Sequence, residues 1–482
     1  MKRVAIWVGL LVVLLWCLPA MGATAKHYTQ LRFPPLGEVK LPKYERFMLD
    51  NGMVVYLMED HELPLVGGTA LVRTGDRLEP ANQVGLANLT GVVMRTGGTQ
   101  KHSADQLNQL LEQRAAAVES GIGESSGSAS FSALSEDLEM VFGLFSEVLR
   151  QPIFADDKLD LAKTQVKGGI ARRNDDPNGI VGREFQKLVY GSTSPYARTV
   201  EYATLDNISR NDLVSFYQQY FHPNNIILGI VGDFDSRQMR SLIQKHFGDW
   251  SSGNLASTKV PIVCAKKLGG IFLVNQPQLT QSYVQMGHLG GKFNSPDYPA
   301  LDVLSRVLSG FGGRLFNNLR SRLGLAYTVY GDWSPHYDYP GVFVAGGQTR
   351  SETTVPFIRN LRSQIEQLQV EQVKPNELAF AKESVLNSFV FNFEDPTDTI
   401  SRLMRYEYYG YPTDFLFRYQ RGVKATTAND IMRVAKKYLK PEQFVTLVVG
   451  NTNAIKPPLT QLATNVVPVD ITIPGSEPKV KK

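Results

Sequence analysis

Seven histidines, at positions 27, 61, 102, 222, 246, 288 and 336, are the natural starting point for metal or proton-transfer chemistry, and no two lie within twenty residues of each other. Catalytic zinc takes about three protein ligands from His, Asp, Glu or Cys, so no local motif gathers such a site. Each lone His reads as a surface or core-edge side chain. Asp156-Asp157 and Asp175-Asp176 would suit a hard cation, but each pair also fits the solvated end of a helix. No Ser or Cys stands in a recognisable nucleophile setting. One stretch is odd in another way. "VGLANLTGVVMRTGGT" (84–99) has the apolar spacing of a core-facing helix stopped by Gly97-Gly98. Yet it carries Asn88, Thr90 and Gly91 in its middle, and an interior Gly costs about 1 kcal/mol against Ala.

The chain that must position these residues has 482 amino acids, 43% of them apolar and 20% charged. That suits a globular protein of two or three domains. Residues 1–25 read as a secretory signal: Lys2-Arg3, an uncharged apolar run from Val4 to Leu18, then Ala23-Thr24-Ala25 as a cleavage site. An uncleaved anchor is the alternative, although the run before Pro19 is short for a span. Export points to a secreted protein, with the periplasm as destination and no stable membrane span once the signal is cleaved. The net charge of +5 falls to +3 without this leader, which leaves no electrostatic footprint for nucleic acid. Only Cys264 would remain, so no intrachain disulfide can form.

The chain also repeats itself. "LAKTQVKGGIARRNDDP" (161–177) matches "FAKESVLNSFVFNFEDP" (380–396): Ala162-Lys163 pairs with Ala381-Lys382, and Asp176-Pro177 with Asp395-Pro396. The offset of 219 holds at Tyr190-Gly191 and Tyr409-Gly410, then slips by one at Tyr220/Tyr438 and Val231/Val449. Earlier, strand runs at 65–75 and 279–287 lead into helices at 84–95 and 298–309. Two copies of one domain are predicted: 26–250, a linker over 251–267, then 268–456, with 457–482 as a loose tail. Within the first copy, 45–59 reads as a hairpin turning on Asn51-Gly52, 104–120 as a helix, 126–134 as a strand and 136–151 as a helix. The fold class is α+β: two tandem domains, each a mainly antiparallel sheet packed with helices.

With "LDNGMVVYLMEDHELPLV", "GLANLTGVVMRTGGT", "ARRNDDP", "FHPNNIILGIVGDF" and "GGRLFNNLRSRLGLAYTVY" in view, the sequence resembles the pitrilysin/insulinase zinc metallopeptidases, the inverzincins, over nearly all of the mature chain. In that family a helix reading G-L-A-H-x-x-E-H holds zinc through two His, with the Glu as general base. Laid on this chain, the two His positions are Asn88 and Val92, the base position is Gly91, and a later Glu ligand falls at Gly169. The resemblance therefore implies a clam-like pair of domains, a degenerate metal site and no cofactor in this chain.

The same resemblance implies a role for Arg320 and Tyr327, since the family's C-terminal half contributes an Arg and, seven residues on, a Tyr to the chamber. Both can donate hydrogen bonds to a developing oxyanion, but neither is a nucleophile. A core Tyr and a solvated Arg at a helix end are the plain alternatives. The family's divided forms pair a zinc subunit with a zinc-less one, which implies here the zinc-less subunit of a heterodimeric peptidase. Arg320 and Tyr327 would then act in trans on peptides cleaved by a zinc-bearing partner. The family's strand-edge mode of peptide binding falls on Val118, Glu119, Ser120 and Gly121, although this Ser/Gly-rich stretch also reads as a loop. The alternative from another class is a non-catalytic peptide-binding or scaffold subunit of an envelope complex.

Overall fold

The computed structural model describes residues 41–255, 260–263 and 269–475. The signal sequence, Cys264 and the last seven residues lie outside the described residues.

The first sheet is built from β1 (Glu45–Met48), β2 (Val54–Glu59), β3 (Leu65–Val72), β4 (Ala117–Ile122), β5 (Gly127–Leu134) and β6 (Ile226–Gly232). Around it run α1 (Leu86–Thr96), α2 (Ala104–Glu112), α3 (Leu138–Arg150), α4 (Asp156–Arg172), α5 (Pro177–Tyr190), α6 (Tyr202–Asp206), α7 (Arg210–Tyr220) and α8 (Ser236–Phe247). The second sheet contains β7 (Gly270–Asn275), β8 (Gln281–Leu289), β9 (Ala326–Ser334), β10 (Val342–Arg350), β11 (Val445–Gly450) and β12 (Val466–Pro468). Its helices are α9 (Tyr298–Leu308), α10 (Thr354–Val370), α11 (Pro375–Ser388), α12 (Pro396–Tyr409), α13 (Phe415–Ala425) and α14 (Ala428–Tyr438).

The strand orders, β1-β2-β6-β3-β5-β4 and β12-β7-β11-β8-β10-β9, repeat one another over five strands. Pairing is antiparallel except β2 with β6, and β7 with β11 and β12. The α+β tandem architecture thus holds, and the duplication is visible as geometry. The sixth strands differ: β1 runs antiparallel to β2, whereas β12 runs parallel to β7.

The repeated Asp-Pro has a local reason. Asp176 caps α5 by accepting from the Asn178 and Gly179 amides, and Asp395 caps α12 by accepting from Thr397. Pro follows at the first helical position, where its missing N–H is not needed. Both helices then cross to the other half. Ile180, Val181, Phe185 and Val189 of α5 join Val342, Val445, Leu447 and Val449 of the second sheet in one buried cluster. Reciprocally, Ile400, Leu403 and Met404 of α12 pack on Tyr56, Met58, Ile227 and Val231 of the first. Gly229 of β6 permits that approach, because a Cβ there would sit 2.6 Å from Ile400 Cγ2. Two larger cores lie within the halves.

Three local expectations need correction. The helix predicted over 104–120 ends at Glu112, although it starts as expected with a Ser103–Gln106 capping box. Ala115 takes φ 47° and the chain continues as β4. Pairing with β5 and burial of Val118 override the helix propensity of "RAAAV". The 45–59 hairpin turns through three residues: the Leu49 and Gly52 amides bond back to Met53 and Leu49 carbonyls, and Gly52 adopts φ 87°. The predicted tail is not loose over its described part, 457–475, since β12 adds to the second sheet and Asn174 donates to the Ile471 carbonyl at 2.7 Å.

Candidate functional site

Helix α1 lies directly on β4, the outermost strand of the first sheet. Its N-terminus is held by the buried Glu79 carboxylate, which accepts from the Gly85 and Ala87 amides, both at 2.9 Å. Burial pushes Glu79 up to about 7, against the pull of those two amides. Farther along, Arg95 Nε donates to the Val118 carbonyl of β4 at 2.7 Å, and its Nη2 to Asn108.

The vacated positions fall into two kinds. Asn88 and Gly169 are exposed and Val92 is half-buried, so the ligand positions remain open to solvent. Nothing lies within 4 Å of where a Cβ at Gly169 would be. Gly91 is different. It is buried against β4, and a Cβ there would stand 2.7 Å from the Gly121 carbonyl carbon and closer still to the Ile122 nitrogen. Ser120 Oγ donates to the Gly91 carbonyl at 2.6 Å, closing the seam. Gly91 therefore does structural work as well as lacking a base. Asn is a poor zinc donor, and Gly and Val have no donor side chain, so these four positions do not fit zinc. Among the described residues no group of three or more His, Cys, Asp or Glu is placed to hold a metal.

Val118, Glu119, Ser120 and Gly121 form the middle of β4 and not a loop. Val118 points into the core, Glu119 is exposed, and Ser120 and Gly121 are half-buried under α1.

Arg320 and Tyr327 sit at the corresponding edge of the second sheet. Arg320 belongs to a wide turn, Phe316–Arg322, wound with i→i+5 hydrogen bonds such as Leu323 N–H to the Asn318 carbonyl. Such π-turns recur at functional sites. Tyr327 lies on β9, the outermost strand. The guanidinium carbon of Arg320 stands 4.8 Å from the Tyr327 ring centre and 4.7 Å from that of Phe316. Among the described residues it has no hydrogen bond or ion pair, so its N–H groups are free. Tyr327 is 76% exposed, which excludes the core reading. No hydrogen bond, ion pair or ring contact among the described residues joins this pair to Asn88, Gly91, Val92 or Gly169.

Spacing gave no hint of Glu79 or Arg95, nor of the buried Arg77–Asp338 pair (2.6 Å) that ties the halves together. Each partner lies on a different element, and only folding brings them into contact.

Comparison with known proteins agrees with this architecture. Residues 55–197 match the sequence profile described as Insulinase (Peptidase family M16), and residues 207–385 the one described as Peptidase M16 inactive domain. The chain is 24% identical over 424 residues to the zinc protease PqqE of Helicobacter pylori, covering 84% of this chain and 93% of that protein. It is 22% identical over 401 residues to the non-peptidase homolog YmxG of the same organism, covering 82% and 90%. Among solved structures, the peptidase M16 inactive domain from Pseudomonas fluorescens superposes with a TM-score of 0.78 at 24% identity, covering 86% of this chain and all of that one. The periplasmic protease PqqL from Escherichia coli gives 0.72 at 16% identity, covering 86% of this chain but 46% of that one. These structural likenesses establish the fold alone.

Fold and site together define a two-domain peptidase scaffold whose metal positions have lost their donors. The chain belongs to the insulinase/pitrilysin family, as a member that lacks the zinc site.

Proposed function

We propose that this chain is the zinc-less subunit of a heterodimeric, exported peptidase, presenting Arg320 and Tyr327 to the zinc site of a partner subunit that cleaves peptides. The observation that carries the reading is the contrast between the two sheet edges. The α1–β4 edge lacks donors at Asn88, Gly91 and Val92, while the β9 edge keeps a free guanidinium stacked beside an exposed phenol. Such a pair can donate to a substrate carbonyl and to the charge that develops on it, but cannot supply the attacking water.

Two comparisons support a second subunit. This chain matches 46% of the length of PqqL, so a protein of that fold has room for another unit of similar size. Helicobacter pylori has relatives named both as a zinc protease and as a non-peptidase homolog, so the two kinds coexist in one organism. PqqL is named periplasmic, which fits the export reading of residues 1–25. Strand β4 is the proposed contact for an extended peptide, through Val118 to Gly121. The domain limits of 26–250 and 268–456 are part of the same reading; the first contains all of its sheet, and the second all of its sheet except β12.

The test is reconstitution. The purified chain is mixed with a zinc-bearing family member from the same source, and peptide cleavage is followed. Activity above that of the partner alone, lost in Arg320→Ala, is expected. Assembled activity that Arg320→Ala leaves unchanged overturns the catalytic role.

A further inference from the structure

The duplication gives the vacated zinc positions counterparts in the second half. Helices α1 and α9 superpose in sequence at an offset of 214, where buried residues meet buried residues from Leu86/Ala300 to Met94/Leu308. The contacts agree with this register. Arg95 bonds the backbone of edge strand β4, and its counterpart Ser309 bonds both the N–H and the carbonyl of Gly331 on edge strand β9. Gly91 is pressed on β4, and its counterpart Ser305 accepts from the Trp333 amide on β9 at 2.8 Å. Asn88 and Val92 therefore correspond to Asp302 and Arg306. The offset of 219 that aligns Ala162-Lys163 with Ala381-Lys382 makes Ser388 the counterpart of Gly169.

Asp302, Arg306 and Ser388 all line a single cavity of about 320 Å³. Its wall is largely aromatic, with Phe293, Tyr298, Tyr337, Phe389, Tyr406 and Tyr419 around it. Arg402 also faces it, and its Nε is buried with no hydrogen-bond partner. Arg306 has neither a hydrogen bond nor an ion pair among the described residues. Asp302 already accepts the Tyr419 hydroxyl at 2.5 Å. Two guanidinium groups thus face one lining carboxylate among aromatic rings, and a second carboxylate, Asp332 of β9, lies near enough to act electrostatically on Arg306 and Asp302.

We propose that this cavity is a binding site in its own right, at the repeat-related position of the lost metal site, and that it takes an apolar carboxylate: an aromatic acid or the C-terminal residue of a peptide. The lining selects an anion, since its one acid is held by Tyr419, Arg402 Nε has no partner, and a metal would find too few donors. A planar carboxylate matches the forked donors of Arg, and the rings supply the apolar contact typical of small-ligand sites. This site is independent of the partner and of Arg320.

Calorimetric titration of the full chain tests it with three probes: hydrocinnamate, N-acetyl-phenylalanine and N-acetyl-phenylalanine amide. Saturable binding of at least one acid, with the amide weaker by about tenfold or more, is expected from a charge-assisted contact. Arg402→Gln and Arg306→Gln should each weaken the acid by a similar factor, while Arg320→Ala leaves it unchanged. Preference for hydrocinnamate points to a free small acid, and preference for the acetylated residue to a peptide terminus. Arg306 is exposed, so its variant tests the site even where Arg402→Gln disturbs folding. Equal binding of acid and amide, no saturable binding in the millimolar range, or indifference to Arg306→Gln overturns the proposal.

Discussion

Gly91 in helix α1 and Gly121 in edge strand β4 approach so closely that a side chain at position 91 has no room between them. This contact alters the meaning of the missing glutamate. Position 91, the general-base position by resemblance, is part of a packing seam between α1 and β4.

The first prediction follows from that seam. Gly→Ala in a helix interior normally gains about 1 kcal/mol. Here the new methyl would meet backbone, and overpacking of this kind costs about 1–3 kcal/mol. Gly91→Ala should therefore destabilise the chain, read as a lower midpoint in urea denaturation. Asn88→His, at an exposed position, should move the midpoint by no more than about 0.5 kcal/mol equivalent, whereas Gly169→Glu, in the open interior of α4, should raise it by about 0.5–1 kcal/mol equivalent. Gly91→Glu should destabilise the chain at least as much as Gly91→Ala, because its Cβ meets the same backbone.

Tyr327 separates stability from activity. Its ring is 76% exposed, so Tyr327→Phe should leave the melting temperature unchanged and preserve the stacking with Arg320. In the reconstituted pair, loss of one oxyanion donor should lower kcat by about a hundredfold. An unchanged kcat would mean that the hydroxyl does not reach the reacting carbonyl.

The halves are joined by a buried ion pair whose parts can be tested against each other. Arg77 is 5% exposed and meets Asp338 at 2.6 Å. Asp338→Ala strands the guanidinium and should cost about 3–5 kcal/mol. Replacing both, as Arg77→Met with Asp338→Leu, should recover much of that loss. A double-mutant cycle in urea measures the difference.

Glu79 predicts a pH dependence. Its carboxyl rises from 4.5 to about 7 on folding, so the folded state holds the proton more tightly. The resulting stabilisation is full below about pH 4.5 and is lost as pH rises through about 7. Melting temperatures recorded between pH 5 and 8 should fall with rising pH by more in the wild type than in Glu79→Gln, which does not titrate.

Helix exchange makes the halves interdependent. Residues 41–255 produced alone would expose Tyr56, Met58, Ile227 and Val231, which α12 covers in the whole chain. This fragment should not give a cooperative thermal transition by calorimetry, whereas co-expression with the remainder should restore one.

Much of this was legible because it rests on local chemistry. Asp-Pro twice at one offset marked the repeat, and the alternating runs at 65–75 and 279–287 marked strands. The absence of donors at Asn88, Gly91, Val92 and Gly169 is a property of residue type, readable once the register is known. Position 104–120 misled because helix propensity is local while strand pairing is not. "RAAAV" favours a helix by itself, and only the presence of β5 beside it makes β4.

The sequence by itself determined the duplication and the α+β class, because each depends on residue identity and spacing along the chain, and its resemblance to the family marked the metal positions that lack donors. Tertiary structure alone decided three things. It placed Gly91 against β4, stacked Arg320 between Phe316 and Tyr327, and gathered Asp302, Arg306, Ser388 and Arg402 around one cavity. Their members are drawn from separate elements, and burial, free valence and close approach exist only after those elements have packed.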